Sequence, residues 1–304
     1  MKYSGSITDI AGILAGHYTD DEGMTGCTVI LCKEGATAGV CVNGGAPGTR
    51  ETDLLKSENA VDTVNAVVLS GGSAFGLAAA DGVMRYLKEQ NAGFDAGVAK
   101  VPIVPAAVLF DLAQGSADAY PDSLAGYSAC ENAGKEAAQG LVGAGRGATV
   151  GKAGGPQFAM PGGIGMAALE LAGGVKVAAC VAVNAVGDIK EEGKIVAGAF
   201  MGGQFIDTVE MMLGGKNAAA FGQNTTIGVV ATNARLSKTQ LNRLAKISHN
   251  GIARAIYPAH TMMDGDTLFA LSLGDKEYDL SALCEASAET VRRAIVNAVW
   301  GEGK

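Results

Sequence analysis

The spacing of apolar positions along the chain separates strand-like runs from helical ones. Cys27 to Cys32 and Thr37 to Val42 are short apolar runs joined by Lys33-Glu34-Gly35, a pattern that predicts a hairpin. Strands are predicted again at Val61–Leu69, Gly165–Leu171, Lys176–Val186, Ile227–Thr232 and Thr267–Leu273. VPIVPAAVLFDL, from Val101, carries two prolines and suits an extended edge or a strand start. Helical composition or spacing marks Ala74–Glu89, Pro121–Gln139, Lys238–Ala255 and Asp279–Trp300. In the third of these, Leu241, Leu244, Ala245, Ile247 and Ile252 form an apolar face behind a capping Ser237. Gly187 to Gly222 reads as the least regular stretch, a linker delivering the chain to Asn224. Without a repeat at fixed period, so many strands bury best as two sheets stacked face to face with helices outside. The expectation is an α+β protein of four layers, one domain over residues 1–304.

Composition narrows the packing and the partners. Hydrophobic residues make up 48% of the chain and charged ones 18%, enough for a large core. Aromatics are only 5% against 45 glycines, so close backbone approach has to do the packing. A net charge of -8 without any Lys/Arg cluster argues against nucleic acid and anionic membrane as partners. The N-terminal segment has no sustained apolar core and is interrupted by Asp9 and Asp20-Asp21-Glu22, so a cytoplasmic location is expected. Six scattered cysteines form no Cys-x-x-Cys pair, and His17, His249 and His260 are far apart in sequence. Buried free thiols, structural or solvated histidines, no metal and no cofactor are therefore expected.

Three familiar motifs fail on inspection. Gly71-Gly72-Ser73-Ala74-Phe75 places Phe where a nucleophile elbow needs its last Gly. Ser73 is better read as a helix cap, with the N–H groups of Gly71, Gly72 and Ser73 available to an anion. A phosphate-binding loop ending at Gly151-Lys152 would need Gly at Arg146 and a hydroxyl at Ala153. The glycines of 143–155 lack the framing of a dinucleotide fingerprint as well. The loop Asn43–Asp53, with Arg50, Glu51 and Asp53, is either structural or shaped to meet a ligand. Lys152 is a solvated loop residue or a cation in a site. Asn184, an amide inside an apolar run, is either a packing bridge or a donor aimed at a site.

Nucleophilic catalysis needs a nucleophile, a base and donors for an oxyanion, and no adjacent Ser/His/Asp or Cys/His set offers them. One arrangement does without histidine: an N-terminal Thr or Ser whose own α-amine, of ordinary pKa about 7.7–8.0, is the base. An internal Thr reaches that state only if the preceding bond is broken. The polar turn Gln223-Asn224-Thr225-Thr226 runs directly into a buried strand, so Thr225 and Thr226 are both candidates.

NTTIGVVATNARL, together with NGGAPGTRETDLL, VVLSGGSAFGLAAADGVMRYL, VPIVPAAVLFDL, PGGIGMA and MDGDTLFAL, resembles the P1 (S58, DmpA-type) peptidase family over about Asn43 to Leu271. That family contains L-aminopeptidase/D-amidase-esterases, β-peptidyl aminopeptidases and 6-aminohexanoate-oligomer hydrolases. The resemblance implies an αββα sandwich of the DmpA/ornithine-acetyltransferase type, cleaved by itself before a Ser or Thr. Carried onto this sequence, it implies a scissile Asn224–Thr225 bond, fragments 1–224 and 225–304, and Thr225 as nucleophile. The Asn-Thr junction is that of the nylon-oligomer branch, whereas the aminopeptidase branch has Gly-Ser. The resemblance further implies roles for Asp264 and Asp266 as the acids, Asn184 as the carbonyl-polarising amide and Lys152 as the lysine beside the nucleophile. It implies a small peptide or amide substrate and a homo-oligomer of processed protomers. The alternatives are an acetyltransferase on the same fold, or a binding protein with no chemistry.

Overall fold

The computed structural model describes residues 1–215 and 224–300. Gln223 and the end of the expected linker, 216–222, lie outside the described residues. The main strands are β1 (Leu14–Asp20), β2 (Thr25–Val42), β3 (Thr63–Ser70), β4 (Ala106–Val108), β5 (Gly163–Glu170), β6 (Lys176–Asn184), β7 (Asp188–Glu191), β8 (Lys194–Ala197), β9 (Thr225–Ala234) and β10 (Thr267–Lys276). The helices are α1 (Ala79–Glu89), α2 (Ser123–Glu131), α3 (Thr208–Leu213), α4 (Lys238–Ala255) and α5 (Leu280–Val299).

One strand builds both sheets. β2 runs for 18 residues, and the expected hairpin at Lys33-Glu34-Gly35 does not form. The polar triplet is instead absorbed as an irregularity, with the pairing to β3 shifting between Leu31 and Ala36 and Gly35 at φ 98°. Before the shift β2 pairs with β1 and β3; after it, Thr37–Val42 pairs with β10. The sheet then continues outward from β2 through β10, β9, β6 and β5, β9 and β10 being parallel.

Strand alternation sorts the side chains into layers. On β6, Ala178, Cys180 and Ala182 join Ile30, Leu69, Ile227, Val229 and Phe269 in a core between the sheets. Val177, Val181 and Val183 point the other way, packing with Leu241 and Ile252 of α4 and Val291 and Ile295 of α5. On the far side, Val29, Leu31 and Val68 pack with Val83 and Leu87 of α1 and Ala125 and Ala129 of α2. The result is the four-layer αββα order that the strand count led us to expect.

Local rules explain most element ends. Ser237 accepts from the Gln240 N–H while the Gln240 side chain accepts from the Ser237 N–H, a reciprocal cap on α4. The helix expected over Ala74–Glu89 starts as a 3-10 turn at Ser73–Ala78 and becomes α-helical at Ala79. Ser73 is not its cap: Gly72 holds that place in a left-handed conformation, and Ser73 itself has φ 53°. α2 stops at Glu131, short of the expected Gln139. The expected linker is partly ordered as β7, β8 and α3; Asp207 caps α3 by accepting from Val209 and Glu210 N–H. All six cysteines are free, five of them buried. Among the described residues no helix is long and apolar enough to cross a membrane.

Candidate active site

Parity along β9 separates the two candidate threonines. Thr225 shares its strand face with Ile227, Val229 and Ala231, which line the core between the sheets. Thr226 shares the opposite face with Val230, which packs toward α4 and α5. Asn184, by the same count on β6, lies on the inter-sheet face with Ala178, Cys180 and Ala182, and it is the register partner of Thr225. Thr225 and Asn184 therefore meet at the rim of the inter-sheet layer, both buried.

The chain is pinned on both sides of the Asn224–Thr225 bond. Asn224 forms a parallel bridge with Asp264, and the Gly265 N–H donates to the Asn224 carbonyl oxygen at 3.0 Å. The Thr225 hydroxyl donates to that same oxygen. One residue on, the Thr226 N–H donates to Asp266 Oδ1 at 2.6 Å. Within Asp264-Gly265-Asp266, main-chain groups thus hold Asn224 and the Asp266 side chain holds Thr226.

Two devices shape this acidic turn. Asp264 folds back to accept the Thr261 N–H at 2.6 Å, and the Asp264 N–H returns to the Thr261 carbonyl at 3.1 Å. The glycine loop after β2 wraps it from outside: Asn43 N–H donates to the Asp266 carbonyl at 2.9 Å and Ala46 N–H to the Asp264 carbonyl at 2.8 Å. A Cβ on Gly44 would lie 2.2 Å from the Asp264 carbonyl oxygen, so only glycine permits this approach. The loop left open between structural and ligand-meeting roles is the acidic turn's outer wall. Arg50 leaves it to pair with Asp81 at 2.7 Å.

Lys152 is no solvated loop residue. It is buried, and its Nζ donates to Asn184 Oδ1 at 2.8 Å and to the Asn184 carbonyl at 3.0 Å. Asn184 Oδ1 also accepts the Thr149 N–H at 3.0 Å, and Nδ2 donates to the Phe110 carbonyl at 2.9 Å. The amide is thereby both bridge and site member, its plane fixed by three residues from two segments, Thr149 and Lys152 on one and Phe110 on the other. Burial pulls the Lys152 pKa down to about 7, against the opposing pull of the Asp264 charge. Burial, then the neighbouring Asp266 charge, pushes Asp264 up to about 6, against the Thr261 hydrogen bonds and Lys152. Two oppositely charged groups thus exchange protons near neutrality within one cluster.

The glycine turn before α1 does not serve as an anion cradle. Its three N–H groups are occupied, Gly71 by the Gly26 carbonyl, Gly72 by Asp111 Oδ1 at 2.7 Å and Ser73 by the Leu109 carbonyl. Sequence reasoning also passed over two residues that the structure places in the cluster. Gly265 sits where an added Cβ would lie 2.9 Å from Thr225 Oγ1. His260 pairs through Nδ1 with Asp266 Oδ2 at 2.7 Å. The only signal for them was their place within HTMMDGD.

A model of peptidase family S58 matches residues 5–302. The chain belongs to that family. It is 44% identical over 292 residues to an uncharacterized aminopeptidase of Mycobacterium tuberculosis, covering 88% of this chain and 81% of the relative. It is 35% identical over 272 residues to the 6-aminohexanoate-oligomer endohydrolase of Kocuria sp., covering 87% and 74%. The fold is that of an L-aminopeptidase D-Ala-esterase/amidase from Ochrobactrum anthropi, a variant of the Ntn-hydrolase fold. That match has TM-score 0.73 at 22% identity over 96% of this chain and 85% of the other. This S58 member is accordingly a hydrolase of peptide or amide bonds.

Proposed function

We propose that this S58 hydrolase cuts its own Asn224–Thr225 bond and then uses Thr225 as an N-terminal nucleophile on amide bonds of short peptides or amide oligomers. The observation that carries the reading is the Thr225 hydroxyl held on the Asn224 carbonyl, whose oxygen also accepts the Gly265 N–H. Attack by Oγ forms a C–O bond to the Asn224 carbonyl carbon and breaks the Oγ–H bond, releasing the proton that the departing nitrogen takes up. Charge developing on the oxygen is met by the Gly265 N–H, a main-chain dipole already in place. Collapse breaks the C–N bond, the Thr225 nitrogen takes a proton, and an ester remains. Water hydrolyses it to the Asn224 carboxylate and a free Thr225 bearing its α-amine.

In the mature enzyme that amine is the base, and the same Oγ attacks a substrate carbonyl. The substrate amine leaves with a proton, and water releases the acyl group from the threonyl ester. Asp264 and Asp266 orient the new ammonium, Lys152 counters negative charge, and Asn184 polarises the carbonyl beside Thr225. Parity along β9 favours Thr225 over Thr226, whose side chain belongs to the helix-facing side. The aminopeptidase and oligomer-hydrolase names of the relatives support small amide substrates. A cytoplasmic homo-oligomer of processed protomers is part of the proposal, and its assembly rests on the family resemblance alone.

Intact-protein mass spectrometry tests the first step, with fragments 1–224 and 225–304 expected from the purified wild type. Thr225→Ala is expected to stay one chain and to lose amide turnover. A Thr225→Ala protein that hydrolyses amides at the wild-type rate puts the nucleophile elsewhere.

A further inference from the structure

We infer that His260 is a positioning residue for this hydrolase, an imidazolium that holds Asp266 as the fixed anion and leaves Asp264 as the acid that exchanges protons with Thr225. The inference rests on the Thr225 reading above.

The argument begins with hydrogen-bond capacity. His260 Nδ1 lies 2.7 Å from Asp266 Oδ2, and Nε2 lies 3.4 Å from the carbonyl oxygen of His249. A carboxylate and a carbonyl both accept, so the ring satisfies both only with a proton on each nitrogen. Neighbouring His249 reads the opposite way. Its Nε2 faces the Cys41 carbonyl at 3.0 Å, and its Nδ1 is buried without a partner among the described residues, the pattern of a neutral ring. The two rings stand edge to face with centroids 5.0 Å apart, which disfavours charging both.

Asp266 shows the complementary pattern. Three N–H groups converge on its carboxyl: Thr226 N on Oδ1 at 2.6 Å, and His260 Nδ1 and His260 N on Oδ2 at 2.7 and 3.2 Å. A donor-only surround is what a carboxylate satisfies. The backbone supports the arrangement at some expense, since His260 adopts φ 57°, a left-handed conformation that a non-glycine residue rarely takes. That conformation is what lets one residue aim both its main-chain and its ring N–H at a single oxygen.

The groups facing the His260 ring are few. From its own turn come Asp266 and Asp264, from α4 His249, and behind His249 on β2 the Cys41 thiol, which burial keeps protonated. Burial opposes a charge on His260, but the Asp266 hydrogen bond and charge outweigh it, and its pKa rises above 6.5. Burial instead drives His249 down to about 4. Two carboxyls two residues apart thus acquire different duties, Asp266 hydrogen-bonded to the His260 ring and Asp264 facing the buried Lys152.

The test uses processed enzyme and a small chromogenic amide. His260→Gln keeps a donor but removes the charge; kcat at pH 7 is expected to fall about tenfold with KM within about twofold. The acid limb of kcat is expected to move to higher pH, because Asp264 then loses a nearby cation. His260→Arg, larger but charged, is expected to restore the limb toward wild type, the reverse of what a purely packing role gives. A His260→Gln limb identical to wild type, or Arg no better than Gln, overturns the inference. Should neither variant fold, the wild type decides: by NMR the His260 ring is expected to titrate above 6.5 while His249 stays neutral through pH 5. A His260 midpoint at or below 6.5 overturns the inference, and this reading needs no turnover. Thr225→Ala activity separately tests the nucleophile.

Discussion

Gly265→Ala isolates the placement of the Thr225 hydroxyl from every charged group around it. Gly265 has no left-handed backbone requirement, so alanine meets only steric limits there. Its Cβ would lie 2.9 Å from Thr225 Oγ1, 2.9 Å from the Ala46 carbonyl oxygen and 3.4 Å from Pro47 Cα. Both oxygens are several tenths of an ångström too close, and one must move. Ala46 is main chain, tied to the Asp264 carbonyl by its own N–H at 2.8 Å, whereas Oγ1 moves by rotation about one bond. The hydroxyl is therefore the group that yields, swinging off the Asn224 carbonyl. A misplacement of about 1 Å at a reacting atom lowers a rate roughly 100-fold. Overpacking of this kind destabilises by about 1–3 kcal/mol, leaving a folded protein. The assay is intact mass against time after rapid purification, with circular dichroism as the check on folding. Gly265→Ala is expected to persist as one chain long after wild type has split. A folded Gly265→Ala protein that splits as fast as wild type refutes the claim that hydroxyl placement drives the cut.

Two further outcomes follow from the same cluster. Lys152→Met is expected to abolish processing yet raise stability below pH 7. The folded pKa of Lys152, about 7, lies below its unfolded value of 10.5, so the native state binds fewer protons between them. The penalty of a buried cation is full below pH 7 and fades as pH rises to 10.5, and urea melts of both proteins at pH 6 and pH 10 should show the advantage shrinking. Gly44→Ala places a Cβ 2.2 Å from Asp264 O and 2.4 Å from Asp266 N, both main-chain atoms. It is expected to displace the acidic turn and to depress Tm and processing together, measured by calorimetry and mass spectrometry on one sample.

Much of the fold is legible where a segment obeys one period along its length. KVAACVAVN alternates between two apolar environments on β6, and α4 begins and ends where Ser237 and Ala255 suggest. Legibility fails where a local signal is overruled from a distance. Lys33-Glu34-Gly35 has the residues of a turn, yet pairing with β1, β3 and β10 holds β2 straight through it. The short strands of β7 and β8 carry too few residues to show a period. The site divides in the same way. Asp264, Asp266, Lys152 and Asn184 are visible in the sequence as paired acids before a strand and polar residues in apolar runs, but only the family resemblance gave them site roles. His260 is not visible in this way, because its partner ring is on α4 and its aim depends on a left-handed backbone that His-Thr-Met does not advertise.

The position of β9 in the sheet has a consequence for the life of the molecule. β9 lies between β6 and β10, and β10 in turn lies against β2. A cut at Thr225 would leave residues 225–304 woven between two strands of the other piece, with α4 and α5 packed over both. The halves could then neither drift apart on dilution nor easily find each other again once melted. Unfolding of the mature enzyme should be a one-way event, whereas the uncut chain can refold. If the chain cuts itself as proposed, the intact precursor is a template used once, carrying the instructions for an assembly that its own products have lost.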